Sequence, residues 1–107
     1  MSLTPTQLTL RHLREVEKWP LVEVVERFNP HARIRQDLFG FVDVLAVGPR
    51  GVLAVQTTSA ANVSSRIRKI AEHDNVSHVR EAGIAIRVHG WRKRGGRWEL
   101  HRDEDVS

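Results

Sequence analysis

The sequence predicts an α/β domain in which a mixed sheet is flanked by helices. Two observations carry that expectation. Segments 41–47 and 52–58 are dense in strand formers and apolar on both faces, the pattern of strands in the middle of a covered sheet. Amphipathic helical segments stand on either side of them in the chain, over 5–18 and 59–73. The 107 residues suit a single domain, and 40% apolar with 28% charged residues is an ordinary globular composition.

Thr4-Pro5-Thr6-Gln7 opens the first helix. Thr4 serves as N-cap, Pro5 fits the first helical position, and Gln7 completes a capping box. The helix is predicted to run to about Lys18, burying Leu10, Leu13 and Val16, and Pro20 stops it. The β-branched stretch 21–28 reads as a strand, and Asn29-Pro30 as a turn. Gly48-Pro49-Arg50-Gly51 then turns a hairpin between the two apolar arms. Val63, Ile67, Ile70 and Ala71 repeat at helical spacing, leaving Arg66, Arg68 and Lys69 towards solvent. A short helix through Val76 and Val79 follows, with Asp74 as its cap and Gly83 at its end. Segments 84–89 and 97–101 alternate as strands, and 103–107 reads as a loose tail.

The absence of cysteine excludes disulfides, thiolate metal sites and cysteine nucleophiles, and fits a reducing, cytoplasmic setting. No apolar run has the length of a membrane span, and no signal peptide is expected. Net charge is +4. The basic residues concentrate after Ser64, where Arg66, Arg68, Lys69, Arg80, Arg87, Arg92, Lys93, Arg94 and Arg97 face only Glu72, Asp74 and Glu81. That half of the molecule is set up to attract phosphates. No Walker loop, dinucleotide glycine pattern, nucleophile elbow or histidine pair at metal spacing is present.

The informative anomaly is polar: Asp43 and Gln56 interrupt the two most apolar strands. A buried carboxylate without a partner is destabilising by several kcal/mol or more, of order, so its surroundings must supply one. With Pro49 and Arg50 at the hairpin tip, Gly48 faces Gly51 and Asp43 falls directly opposite Gln56. Directly opposed residues share a face. Two oxygen-bearing side chains at one place suit a hard cation such as Mg²⁺. Equally open on the residues alone is a bond from Gln56 to Asp43, or Asp43 capping a nearby backbone group. Asp37, just before the Asp43 strand, is a further acidic ligand or a turn residue.

The segments Gly40-Phe41-Val42-Asp43-Val44-Leu45-Ala46-Val47 and Gly51-Val52-Leu53-Ala54-Val55-Gln56-Thr57-Thr58 resemble the Asp strand and the Glu-x-Lys strand of the PD-(D/E)XK nuclease superfamily. Small phage nucleases and the archaeal Holliday-junction resolvase type are nearest in size. The resemblance implies a restriction-endonuclease-like αβββαβ core and Mg²⁺- or Mn²⁺-dependent hydrolysis of DNA, in repair or recombination. It implies metal ligation by Asp43, Gln56 and the Thr57 carbonyl. This sequence has Gln56 where Glu is usual and Thr58 where Lys is usual. Lys69 or Arg66 on the following helix would supply the missing cation. For the first-helix acid, Gln7, Glu15 and Glu17 all stay open.

The segment Trp91-Arg92-Lys93-Arg94-Gly95-Gly96-Arg97-Trp98 joins the last two strands with a basic tip flanked by tryptophans. Such a tip clamps phosphates or stacks on an unpaired base; the alternative is that the tryptophans close the core edge and the charges are solvated. The leading expectation is a DNA endonuclease, and the second a nuclease-like fold that binds DNA without cutting it. The third is an adaptor whose basic patch meets an acidic protein. A chain this short covers little duplex, so a homodimer is plausible.

Overall fold

The computed structural model describes residues 3–107. Helix α1 spans Pro5–Glu15. The Gln7 N–H donates to the Thr4 hydroxyl at 3.2 Å, and the Thr4 N–H donates to Gln7 Oε1 at 3.1 Å. This is the reciprocal box that satisfies two orphan donors at a helix start. The helix ends at Glu15 rather than near 18, because the chain reverses through Lys18 at φ +61° and the Trp19 N–H returns to the Leu13 carbonyl. Val16 is consequently exposed, and Leu8, Thr9 and Leu13 are the buried residues of the helix.

The stretch read as one strand over 21–28 is two. Strand β1, Leu21–Val24, joins the main sheet, while β2, Arg27–Asn29, leaves it and pairs with β3, Ile34–Gln36, as a separate ribbon. The hairpin arms are β4, Val44–Gly48, and β5, Gly51–Ser59. After a short 3₁₀ turn come α2, Val63–Ala71, and α3, Val76–Glu81. Strands β6, Ala85–Arg94, and β7, Arg97–Asp105, close the chain. The main sheet has the order β1-β4-β5-β6-β7; β5 and β6 are parallel and the other neighbours antiparallel.

The doubly apolar arms are thus central strands, each face supplying a different core. Val44, Ala46, Leu53 and Val55 pack with Leu13, Trp19 and Val22 on the α1 side. Ala54, Ile86 and Val88 pack with Val63, Ile70, Val76 and Val79 on the α2–α3 side. Gly90 sets how closely α2 seats: a Cβ there would lie 2.3 Å from Val63 Cγ2. The tail 103–107 is not loose. Residues 103–105 belong to β7, the Val106 N–H donates to the Ile86 carbonyl, and the Ile86 N–H donates to the Ser107 hydroxyl. Among the described residues no helix is long and apolar enough to cross a membrane.

Candidate metal centre

The hairpin register is the one deduced from the turn, with Gly48 opposite Gly51 and Val44 opposite Val55. The ladder breaks one residue later. The Asp43 N–H donates to the Val55 carbonyl, so Asp43 stands at the mouth of β4 rather than in a regular pair with Gln56. Its Oδ2 fills the gap that the end of β4 leaves beside β5. It accepts the Thr57 N–H at 2.8 Å, the Thr57 hydroxyl at 3.2 Å and Gln56 Nε2 at 3.3 Å. Asp43 therefore does cap a backbone group, and Gln56 does bond to it.

Those bonds leave the rest of the carboxylate facing other acids. Glu26, between β1 and β2, and Asp37, directly after β3, each bring a carboxylate oxygen within 4.8 Å of one another and of Asp43. Asp43 is buried, and the other two are half-buried. Burial, a hydrogen bond shared with Asp37 and the charges of Asp37 and Glu26 push the Asp43 carboxyl up to about 7, against the lowering effect of the Thr57 N–H. Gln56 Oε1 is buried without a hydrogen-bond partner. The three carboxylates form an all-oxygen donor set of the kind Mg²⁺ and Mn²⁺ take, and a turn of the Gln56 amide, whose Nε2 now faces Asp43, would add its orphaned oxygen. Two open clefts meet at Glu26. One of about 520 Å³ includes Val25, Asp37 and Phe39, and one of about 460 Å³ includes Thr6, Gln7 and Arg35. Arg35, largely exposed, places Nη1 3.1 Å from Glu26 Oε1.

The predicted residues separate into groups. Asp43, Gln56 and Thr57 meet, with Thr57 contributing its N–H and hydroxyl; that hydroxyl also lies 2.9 Å from Thr6 Oγ1. Thr58 is buried and paired with Gly90. On α2, Arg68 and Lys69 are exposed and Arg66 half-buried, and none of the three is ion-paired to the acids. Arg92, Lys93, Arg94 and Arg97 lie at the β6–β7 tip, which overhangs the end of β5 because Ser59 is already opposite Trp91. Arg92 is paired with Glu99, and Lys93 Nζ stands 5.9 Å above the half-exposed Trp98 ring. Trp91 is buried and donates from Nε1 to Thr9. The basic tip, the start of α1 and the Gln56–Thr58 end of β5 thus share one end of the sheet.

Glu26 was not legible: it sits in an acidic stretch at the end of an apparent strand. Of the open first-helix alternatives, Gln7 lines the cleft at Glu26, while Glu15 makes only an exposed pair with Arg11. Glu17 belongs to a second cluster with His89 and Asp103. There Arg87 Nη1 lies 2.9 Å from Glu17, and burial, which raises the Glu17 carboxyl, is outweighed by Arg87, Trp19 and His12, which hold it below its ordinary value. His89 Nε2 lies 3.3 Å from Asp103 Oδ1 without an aligned hydrogen bond, while Nδ1 meets the Thr9 hydroxyl at 3.0 Å. The Arg87 guanidinium occupies the carboxylates here, so this cluster reads as the polar lock between α1 and the sheet.

The chain matches no known family model, no curated protein and no solved structure.

Proposed function

We propose that the protein is a metal-dependent nuclease that hydrolyses DNA phosphodiester bonds, with Glu26, Asp37, Asp43 and Gln56 as the ligand set. The observation that carries this reading is the convergence of three carboxylates within 4.8 Å of one another, Asp43 buried and Glu26 and Asp37 lining an open cleft, with Arg35 pairing only Glu26 from the solvent side. Like charges so close are mutually destabilising unless a proton or a cation intervenes. The order α1-β1-β4-β5-α2-β6, with β2–β3 inserted before β4, supports a restriction-endonuclease-like αβββαβ core.

Mg²⁺ or Mn²⁺ held by these residues would supply hydroxide near neutral pH and offset charge on the scissile phosphate. The chain's own residues do the rest. Thr57 fixes the Asp43 carboxylate through two donors, and Gln56 orients it with a third. The exposed cations Lys69, Arg68, Lys93, Arg94 and Arg97, with the half-buried Arg66 and the Glu99-paired Arg92 beside them, hold the DNA backbone electrostatically. Association as a homodimer would let two such sites share one duplex, and DNA as substrate fits a cytoplasmic setting.

A second reading rests on Gln56 and Thr58. With a neutral amide for Glu and a hydroxyl for Lys, the site loses one charge of each sign, which favours a fold that binds DNA without cutting it. Plasmid nicking separates the two. The nuclease reading expects nicking in Mg²⁺ or Mn²⁺, lost in Asp43→Asn while DNA affinity persists. DNA binding with no cleavage in either metal selects the second reading and rejects the first.

A further inference from the structure

The ribbon β2–β3 has no structural role that the fold explains. Its pairs are Arg27 with Gln36, Phe28 with Arg35 and Asn29 with Ile34. None of its residues is buried; Phe28 is 59% and Ile34 52% exposed. A two-stranded ribbon this short, with none of its side chains buried, is marginally stable in water. Phe28 is thereby an aromatic ring left free to stack, on the face it shares with Arg35.

Charge identifies the partner's class. Residues 27–36 contain Arg27, Arg33 and Arg35 and no acid. Opposed residues share a face, so Phe28 stands with Arg35 on one side and Ile34 with Gln36 on the other. Both legs of the ribbon end in the metal centre: Glu26 precedes the first strand, and Asp37 follows the second. A polyanion engaged by the ribbon therefore runs directly to the carboxylates.

We propose that β2–β3 is a DNA-engaging arm that recognises a break in base stacking, with arginines on phosphates and Phe28 stacked against an unpaired base. The inference rests on the nuclease reading of the adjacent acids and gives it a substrate class: forked, branched or gapped DNA in preference to continuous duplex. Phosphate contacts alone would not distinguish these, whereas an aromatic face gains from a base that has lost its neighbour. The arm also supplies Arg35, which swings from Glu26 to the substrate when a cation takes its place.

The test measures fluorescence anisotropy in EDTA on a labelled continuous duplex and on a fork of the same length with unpaired arms. The wild type should prefer the fork, and Phe28→Ala should lose about tenfold on the fork while changing little on the duplex. Arg33→Ala should weaken both and lower the salt slope by about one. Phe28→Trp should show emission quenched by the fork, and not by the duplex, beyond any quenching of the three native tryptophans in the wild type. Both altered side chains are exposed, so unchanged thermal midpoints are expected and check folding.

Fork affinity unaltered by Phe28→Ala, with an unquenched tryptophan in Phe28→Trp, overturns the inference while leaving plasmid nicking and the nuclease reading intact. A wild-type dimer dispersed by Phe28→Ala also overturns it, since a second copy then covers the ribbon. No DNA binding by the wild type at all rejects the nuclease reading and the arm together.

Discussion

Replacing Asp43 by Asn should stabilise the metal-free protein at alkaline pH, although the residue is buried and makes three hydrogen bonds. The Asp43 carboxyl is pushed from 3.8 up to about 7 by burial first and by Asp37 and Glu26 next. The folded chain thus binds this proton more tightly than the unfolded chain does. Stability from this group is complete below the unfolded value and is lost as pH rises through about 7. At 1.36 kcal/mol per pH unit the full loss is roughly 4 kcal/mol, an upper bound because Asp37 shares the effect. Asn stays neutral, keeps an oxygen for the Thr57 N–H and gains a donor for Asp37 or Glu26. The variant should exceed the wild type by about 1–3 kcal/mol at about pH 8 in EDTA, a rise in Tm of several degrees. The gain should vanish at about pH 4, where the native carboxyl is protonated. Calorimetry at both pH values, with EDTA and with millimolar Mg²⁺, reads all of this. Mg²⁺ should raise Tm of the wild type at about pH 8 and leave that of the variant unchanged. A variant less stable than the wild type at alkaline pH, or equally stabilised by Mg²⁺, would refute the crowded-carboxylate account.

Other substitutions probe the remaining parts. Gln56→Glu should tighten Mn²⁺ binding about tenfold in calorimetric titration while making the metal-free protein less stable at alkaline pH, because a fourth carboxyl enters the cluster. Arg87→Met should lower stability by about 3 kcal/mol in urea denaturation, since it strands the Glu17 carboxylate in a part-buried site. The Glu17 and Asp103 carboxyls are both held below their ordinary values, so their contribution appears as pH rises through the acid range, opposite in sign to that of Asp43. Metal-free stability should therefore peak at about pH 4–5; a monotonic rise to alkaline pH would contradict the Asp43 assignment, and a monotonic fall from acid pH the Glu17 and Asp103 ones. Gly90→Ala should cost about 1–3 kcal/mol by driving α2 off the sheet, with nicking activity per folded molecule unchanged.

The parts legible in the sequence were those set by local chemistry. The Thr4–Gln7 box, the Gly48–Gly51 turn and the double-sided apolar arms each specify their structure within a few residues. The Asp43–Gln56 meeting followed from turn geometry, and the structure alters only its manner, because the ladder breaks where Asp43 turns to cap Thr57. The missed features depend on distant partners. Nothing near Val25 announces that the strand ends there: its N–H bonds the Asp43 carbonyl, and the chain then departs as the exposed ribbon. That departure is what delivers Glu26 to the site. The tail looked loose because its charges mark no core, yet it continues an antiparallel ladder in which Asp103 faces His89. Trp91 read equally as a base-stacking or a core residue, and its bond to Thr9 on α1 places it in the core.

The most direct measurement of the metal-centre claim is anomalous diffraction from a crystal soaked in Mn²⁺ at alkaline pH. The account predicts a peak about 2.1–2.3 Å from carboxylate oxygens of Asp43 and Asp37, with Gln56 Oε1 turned towards it and Arg35 released from Glu26. A featureless map, with Arg35 still on Glu26, would contradict it.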